Sequence, residues 1–311
     1  MAAQQPSYLE LHRTGHLQKR LEAARENLRC CTLCPRECRV DRLAGETGVC
    51  NTAEQAWVSS FNAHFGEESP LVGSGGSGTI FFTHCNLLCV FCQNYEISHL
   101  GEGRPVTAEQ LAAVMLELQK NGCHNINFVT PSHVVAQILE ALPPAVESGL
   151  RLPLVYNSGG YDKVETLRLL EGIVDIYMPD FKFWDSEVAR SACNAPDYPE
   201  RARSALREMH RQVGDLVIDE DGIARRGLLV RHLVMPHGMA GTSEIMRFIA
   251  NEISTETYVN IMRQYRPCGR AAETAELADY PAPEEFDAAL ESARRAGIHR
   301  LDRPRRVFRL W

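Results

Sequence analysis

At 311 residues with 44% apolar side chains, the chain is long enough for one barrel-sized α/β domain with an appendage and can bury a large core. Its formal charge of −7 argues against a nucleic-acid backbone as the main partner, and the short basic run Arg303, Arg305, Arg306 and Arg309 reads as a solvated tail. No segment has the apolar length to span a bilayer, and the polar opening from Met1 to Gln5 lacks the apolar core of a secretion signal, so no membrane partner and a cytoplasmic setting are expected. There, eleven cysteines point to metal rather than to disulfides. All but Cys123, Cys193 and Cys268 lie between Cys30 and Cys92; those three are expected to pack as small hydrophobes.

From Thr79 onward, short apolar runs alternate with amphipathic segments. Residues 80–82 read as a strand. Thr107 with Gln110 forms a capping box for a helix over 107–120, with Leu111, Val114, Met115 and Leu118 on one face and Asn121-Gly122 as the stop. A strand over 126–129, a helix from about Ser132 to Leu142 and a strand over 154–156 follow. Asp162 with Glu165 signals the next helix, which Gly172 ends. Strands are then expected over 173–178, 228–234 and 258–262, and helices near 199–213, 243–253 and 283–296. The literal GxGxxG match over 73–78 precedes a strand instead of following one, so it reads as a flexible lead-in and not as a dinucleotide site. Six strand–helix units with right-handed crossovers imply an α/β fold, a partial (β/α)6 TIM-type barrel over 78–311, preceded by a Cys-rich N-terminal region over 1–77.

Polar residues gather just past the strand ends. Cys85 to Cys92, Thr130 to His133, Asn157 to Gly160, Asp180 with Lys182, Met235 to His237 and Arg263 to Tyr265 would all share the C-terminal mouth, where barrel active sites lie. Arg231 and His232 fall within a strand, where buried charge needs a partner. Cys85, Cys89 and Cys92 form a CxxxCxxC loop after the first strand. Three thiolates can hold three irons of a [4Fe–4S] cubane that would normally take four. The open iron can chelate the amino and carboxylate groups of S-adenosylmethionine beside a one-electron reductant, whose chemistry the cofactor carries. A zinc site completed by His84 or His99 is the alternative ligand chemistry, and a non-catalytic zinc or iron–sulfur scaffold or electron carrier the alternative function.

With Phe91 before the third cysteine, this motif resembles the radical SAM superfamily, and Cys92-Gln93-Asn94 looks most like its branch related to the activating enzymes of glycyl-radical enzymes. The resemblance implies a [4Fe–4S] cluster, S-adenosylmethionine and a reductase or a flavodoxin or ferredoxin as electron donor. By the same resemblance Phe91 belongs to the cofactor site, and Thr130, Pro131 and Ser132 stand where many members have a Gly-Gly-Glu stretch that receives the amino group. Ser132 could instead cap the next helix. Asn157 and Ser158 are placed to meet ribose or carboxylate. Asp180-Phe181-Lys182 resembles the Asp-x-Lys of activating enzymes, in which Lys182 could meet the carboxylate while Asp180 holds it. Met235 begins a loop that resembles one whose backbone approaches adenine. The substrate implied is a protein, a peptide such as one with a glycyl position, or a small molecule.

A second group, Cys31, Cys34, Cys38 and Cys50, offers four thiolates for either zinc or an additional iron–sulfur cluster. Lying more than thirty residues before the CxxxCxxC loop, it is expected to be a structurally separate site. A similar segment precedes the barrel in some activase-like proteins.

Overall fold

The computed structural model describes residues 5–302, so the basic run from Arg303 to Arg309 lies outside the described residues. Its strands are β1 (Ala56–His64), β2 (Ser77–Phe82), β3 (Arg104–Val106), β4 (Ile126–Val129), β5 (Leu154–Ser158), β6 (Ile176–Pro179), β7 (Val217–Ile218), β8 (Ala224–Leu233) and β9 (Tyr258–Met262). Parallel pairing runs β2, β4, β5, β6, β8, β9, the six-stranded partial barrel expected from the alternating pattern. β5 and β6 are buried along their whole length, as crossover helices on one face and a barrel interior on the other require. The barrel stays open: among the described residues β9 pairs only with β8 along its length.

Local sequence explains the helices that position these strands. Thr107 and Gln110 form the expected capping box on Ala108–Lys120, which turns Leu111, Met115 and Leu118 inward. In Tyr198–Val213, Pro199 occupies the first turn, and Ala202, Ala205, Leu206, Met209 and Val213 bury one face at helical spacing. Two predicted starts differ. The helix after β4 begins only at Val135 and Ser132 does not cap it; the helix after β5 spans Val164–Leu169, with no side-chain cap. In both cases the polar residue is drawn into a buried hydrogen-bond group described below. The helix Ser186–Cys193, capped by Asp185, was not foreseen.

Residues on either side of the boundary expected between 77 and 78 share one sheet. β1 pairs antiparallel with β2, so the N-terminal region supplies a strand to the same sheet, and β3 pairs in turn with β1. The helices Tyr8–Arg13 and His16–Asn27 lie on the barrel too, and the Tyr8 hydroxyl donates to the Leu152 carbonyl at 2.9 Å. An apolar β2 edge needs a cover, and the nearest available chain is its own N-terminal segment. The stretch over 73–78 is also fixed, for the amides of Ser74 and Gly75 both donate to His124 Nε2, at 3.1 and 3.0 Å. No helix among the described residues is long and apolar enough to cross a membrane.

Candidate active site at the mouth of the barrel

The loop after β2 folds tightly, with His84 and Leu88 at φ of 69° and 55° on either side of Cys85. Such turns aim polar groups at sulfur: the Leu87 amide donates to Cys85 Sγ at 3.3 Å and the Ser98 hydroxyl to Cys92 Sγ at 3.2 Å. Burial pushes the Cys85 thiol up to about 12. The Cys89 thiol is raised further by its contact with Cys193, whose Sγ lies 3.3 Å away, and by burial. Iron binding would displace these protons. Among the described residues no three His, Cys, Asp or Glu side chains are arranged to hold a metal ion. A cubane takes each thiolate on a different iron, so three thiols spread along one loop with amide and hydroxyl donors on two sulfurs fit it. Phe91 is buried and packs against Phe183 and Tyr265, with ring centroids 5.9 and 5.8 Å apart.

Facing this loop is a buried charge network. Lys182 Nζ donates to Asp180 at 2.5 Å, Arg231 Nε donates to the other Asp180 oxygen at 2.8 Å, and Arg231 Nη2 donates to Asn157 Oδ1 at 2.8 Å. Burial pushes the Asp180 carboxyl up, but Arg231 and Lys182 outweigh it and hold the group below its ordinary value. The Lys182 ammonium stays charged, since burial disfavours it less than Asp180 and the neighbouring Cys89 favour it. Tyr198 ties the loops after β5 and β6: its hydroxyl lies 3.0 Å from the Gly159 carbonyl and 3.1 Å from the Asp180 carbonyl, and accepts from the Lys182 amide at 2.9 Å. The loops touch because Gly160 has φ of 76° and no side chain; a Cβ there would lie 2.1 Å from the Asp180 oxygen.

Asp162 is a second hub, invisible in the sequence except as a helix start. Its oxygens accept from Ser132 at 2.6 Å, Ser158 at 2.6 Å and Tyr156 at 2.9 Å. The hydroxyls expected at the ligand are thus spent inside the fold, and burial raises Asp162 against the pull of these donors. Thr130 is left-handed, at φ of 61°, and its amide donates to the Asn157 carbonyl at 2.8 Å; Pro131 and Met235 are buried beside the strand ends. The sequence reading expected Asn157, Asp180 and Lys182 at one mouth and left Arg231 within a strand in need of a partner; the structure joins the four in one hydrogen-bonded group. The sequence reading missed Asp162 and Cys193, the latter because a lone cysteine on an unforeseen helix carries no spacing signal. His232 does find the partners its burial demands, the Phe181 carbonyl and the Thr242 hydroxyl, each at 2.8 Å.

A cavity of about 1260 Å³ runs from Gln93 and Asn94 past Asn157 and Arg231 to Glu67 and Glu68. Glu68 is buried there, held at one oxygen by Asn260 at 2.8 Å with the other unpartnered among the described residues, and burial pushes it up to about 7.

A parallel half-barrel thus carries three loop thiols and a buried Lys–Asp–Arg network at its mouth. Residues 79–219 match the model of the radical SAM superfamily. The chain is 32% identical over 300 residues to "Uncharacterized protein MJ0674" of Methanocaldococcus jannaschii, covering 93% of this chain and 82% of that one. Among solved structures it resembles a radical SAM methyltransferase from Sphaerobacter thermophilus, at 15% identity and a TM-score of 0.49 over 73% of this chain and 67% of that one. It also resembles the cobalamin-dependent S-adenosylmethionine radical enzyme OxsB, at 14% identity and a TM-score of 0.39 over 72% of this chain and 31% of that one. The chain belongs to the radical SAM superfamily. It is accordingly an enzyme that uses a [4Fe–4S] cluster and S-adenosylmethionine.

Proposed function

We propose that Cys85, Cys89 and Cys92 are the three ligands of that cluster and that the chain is an activating-enzyme-like catalyst that abstracts hydrogen from a peptide position, a glycyl one included. The observation that carries this reading is the pairing of the three-thiol loop with Lys182, a buried cation oriented by Asp180 and near enough to Cys89 and Cys92 to act on both thiols. When bound, cluster and cofactor supply one-electron cleavage of the sulfonium C5′–S bond, leaving methionine and a 5′-deoxyadenosyl radical.

In this reading the protein's residues hold and orient. Lys182 meets the cofactor carboxylate, with Asp180 and Arg231 fixing its position; Asn157, whose side-chain carbonyl is already taken by Arg231, presents its side-chain amide. Thr130, Pro131, Ser132 and Ser158 contribute backbone groups, because the two serine hydroxyls belong to Asp162. Phe91 shields the third cysteine, and Met235 lines the adenine side. A flavodoxin or ferredoxin with its reductase supplies the electron. The cavity leading past Arg231 to Glu68 is large enough for an extended peptide loop, which supports a polypeptide substrate.

The test is anaerobic reconstitution with iron and sulfide, reduction with dithionite and addition of S-adenosylmethionine. 5′-Deoxyadenosine should form, and replacing any one of the three cysteines by Ala should abolish it with loss of the cluster. Deuterium from labelled peptide pools should enter 5′-deoxyadenosine; label arriving only from small metabolites would overturn the polypeptide reading, and full iron content in the single variants would overturn the ligand assignment.

A further inference from the structure

The four N-terminal cysteines do meet. Cys31, Cys34, Cys38 and Cys50 line one small cavity together with Arg42 and His133. Backbone pairing closes the loop, with the Cys31 amide donating to the Val40 carbonyl at 3.0 Å and the Arg39 amide to the Cys31 carbonyl at 2.9 Å. A Cβ at Gly48 would lie 2.6 Å from Cys38 Sγ, so glycine lets the returning chain pass over that sulfur, and the Val49 amide donates to it at 3.4 Å.

The cavity has a volume of about 10 Å³, room for one water-sized sphere. A water radius of about 1.4 Å added to the radius of sulfur keeps the lining thiols farther from the centre than the roughly 2.3 Å zinc–thiolate bond. The sulfurs surround a space, as an iron–sulfur core with one thiolate per iron requires, instead of closing on a point.

Charge at the site calls for metal-bound thiolates. Arg42 is 1% exposed. Its Nε donates to the Ala53 carbonyl at 3.0 Å, its Nη1 donates to the His133 carbonyl at 2.8 Å and lies 3.8 Å from Cys31 Sγ, and its Nη2 has no partner among the described residues. No carboxylate pairs with it among the described residues. A buried guanidinium facing neutral thiols is costly, whereas a set of metal-bound thiolates carries the negative charge that offsets it. His133 is left in the same condition: Nε2 is 3.0 Å from the Thr83 carbonyl, to which it donates, and Nδ1 has no partner among the described residues.

Nor is the site separate from the catalytic loop, as its distance in sequence suggested. The Asn86 side chain, next to Cys85, reaches the Cys34 thiol. Arg36 binds the same loop, donating from Nε to the Asn86 carbonyl at 2.9 Å and from Nη2 to the Leu87 carbonyl at 3.2 Å and the Cys193 carbonyl at 2.8 Å. The segment between Cys34 and Cys38 is thereby fastened to the segment between Cys85 and Cys89.

We propose that Cys31, Cys34, Cys38 and Cys50 hold a second iron–sulfur cluster, seated on Arg42 and His133, that relays single electrons through Asn86 to the cluster at Cys85, Cys89 and Cys92. The relay rests on the reading of those three residues as ligands of the catalytic cluster. A reduced flavodoxin or ferredoxin gives one electron to the N-terminal cluster and is itself oxidised. That electron passes on and is consumed in breaking the C5′–S bond, so methionine leaves, the deoxyadenosyl fragment keeps the unpaired electron, and the N-terminal cluster returns to its oxidised state.

The full chain carrying Cys85→Ala, Cys89→Ala and Cys92→Ala together tests the second site apart from the first. Purified anaerobically, it should keep about four irons per chain and, when reduced with dithionite, an electron paramagnetic resonance signal that added S-adenosylmethionine does not change. Zinc in place of iron, or no metal in a variant whose circular dichroism matches the wild type, overturns the cluster. The Cys34→Ser, Cys38→Ser variant should retain cofactor cleavage driven by dithionite and lose cleavage driven by reduced flavodoxin; equal rates with both reductants overturn the relay. Should that variant not fold, Arg42→Met with all cysteines present decides, because loss of the buried positive charge should lower the midpoint potential of the N-terminal signal. An unchanged potential overturns the seat on Arg42.

Discussion

Lys182 and Glu68 show how a single residue acquires a role from its surroundings. Lys182 sits at the tip of a buried chain of opposite charges, Asp180 and then Arg231, so its ammonium is held charged and aimed. Replacing it by Met should weaken S-adenosylmethionine binding by about tenfold to a hundredfold, the worth of one charge-assisted hydrogen bond, while iron content stays at the wild-type level. Titration calorimetry and iron analysis on the same preparation check both halves. Glu68 makes a prediction about pH. Burial raises its pKa from 4.5 to about 7, against the pull of Arg231, with Glu67 adding to the rise. The folded chain therefore binds this proton more tightly than the unfolded chain, and the stability so gained is complete below about 4.5 and lost as pH rises through about 7. Glu68→Gln should flatten that slope in denaturant titrations between those two values, and an unaltered slope would assign the pH dependence to other groups.

At the scale of elements, the mouth is built from loops that brace one another. Asp162, on the loop after β5, gathers hydroxyls from the loop after β4 and from β5 itself. Asp162→Ala leaves three buried hydroxyls without an acceptor and should cost about 2–4 kcal/mol in urea unfolding. Thr107→Ala on the helix after β3 removes a cap and nothing else, so it should cost about 1 kcal/mol and leave cofactor cleavage unchanged. The contrast has a sequence counterpart. The capping box was legible because its two members lie three residues apart and act on each other, whereas the partners of Asp162 come from β5 and from the loop after β4, thirty residues away. A local rule reads Asp162 as a helix start; the tertiary fold uses it as a junction.

For the molecule as a whole, the N-terminal region is part of the barrel's construction. β1 covers the edge of β2, the helix His16–Asn27 lies against Val135–Glu147, and Arg36 fastens the four-cysteine loop to the CxxxCxxC loop. A chain beginning at residue 78 would expose the β2 edge and the apolar surface beneath those helices. It should be recovered as aggregate, or with broadened thermal unfolding, where the full chain unfolds cooperatively; a soluble truncated chain with wild-type melting would show that the N-terminal region merely decorates the sheet.

The sequence by itself determined the six parallel strands, the capping of the helix after β3, the side of the barrel on which polar residues collect, and the three-thiol loop. Those are properties of short stretches, set by hydrophobic period, by capping chemistry and by ligand spacing, and each stretch carries its own signal. Only the tertiary structure decided that Arg231 completes the Asp180–Lys182 pair, that Ser132 and Ser158 serve Asp162, that Cys193 stands against Cys89, and that the N-terminal cysteines adjoin the CxxxCxxC loop. Those facts depend on which strand ends meet across the barrel mouth, and a buried charge or hydroxyl takes whichever partner the packing delivers, however far away it lies in the chain.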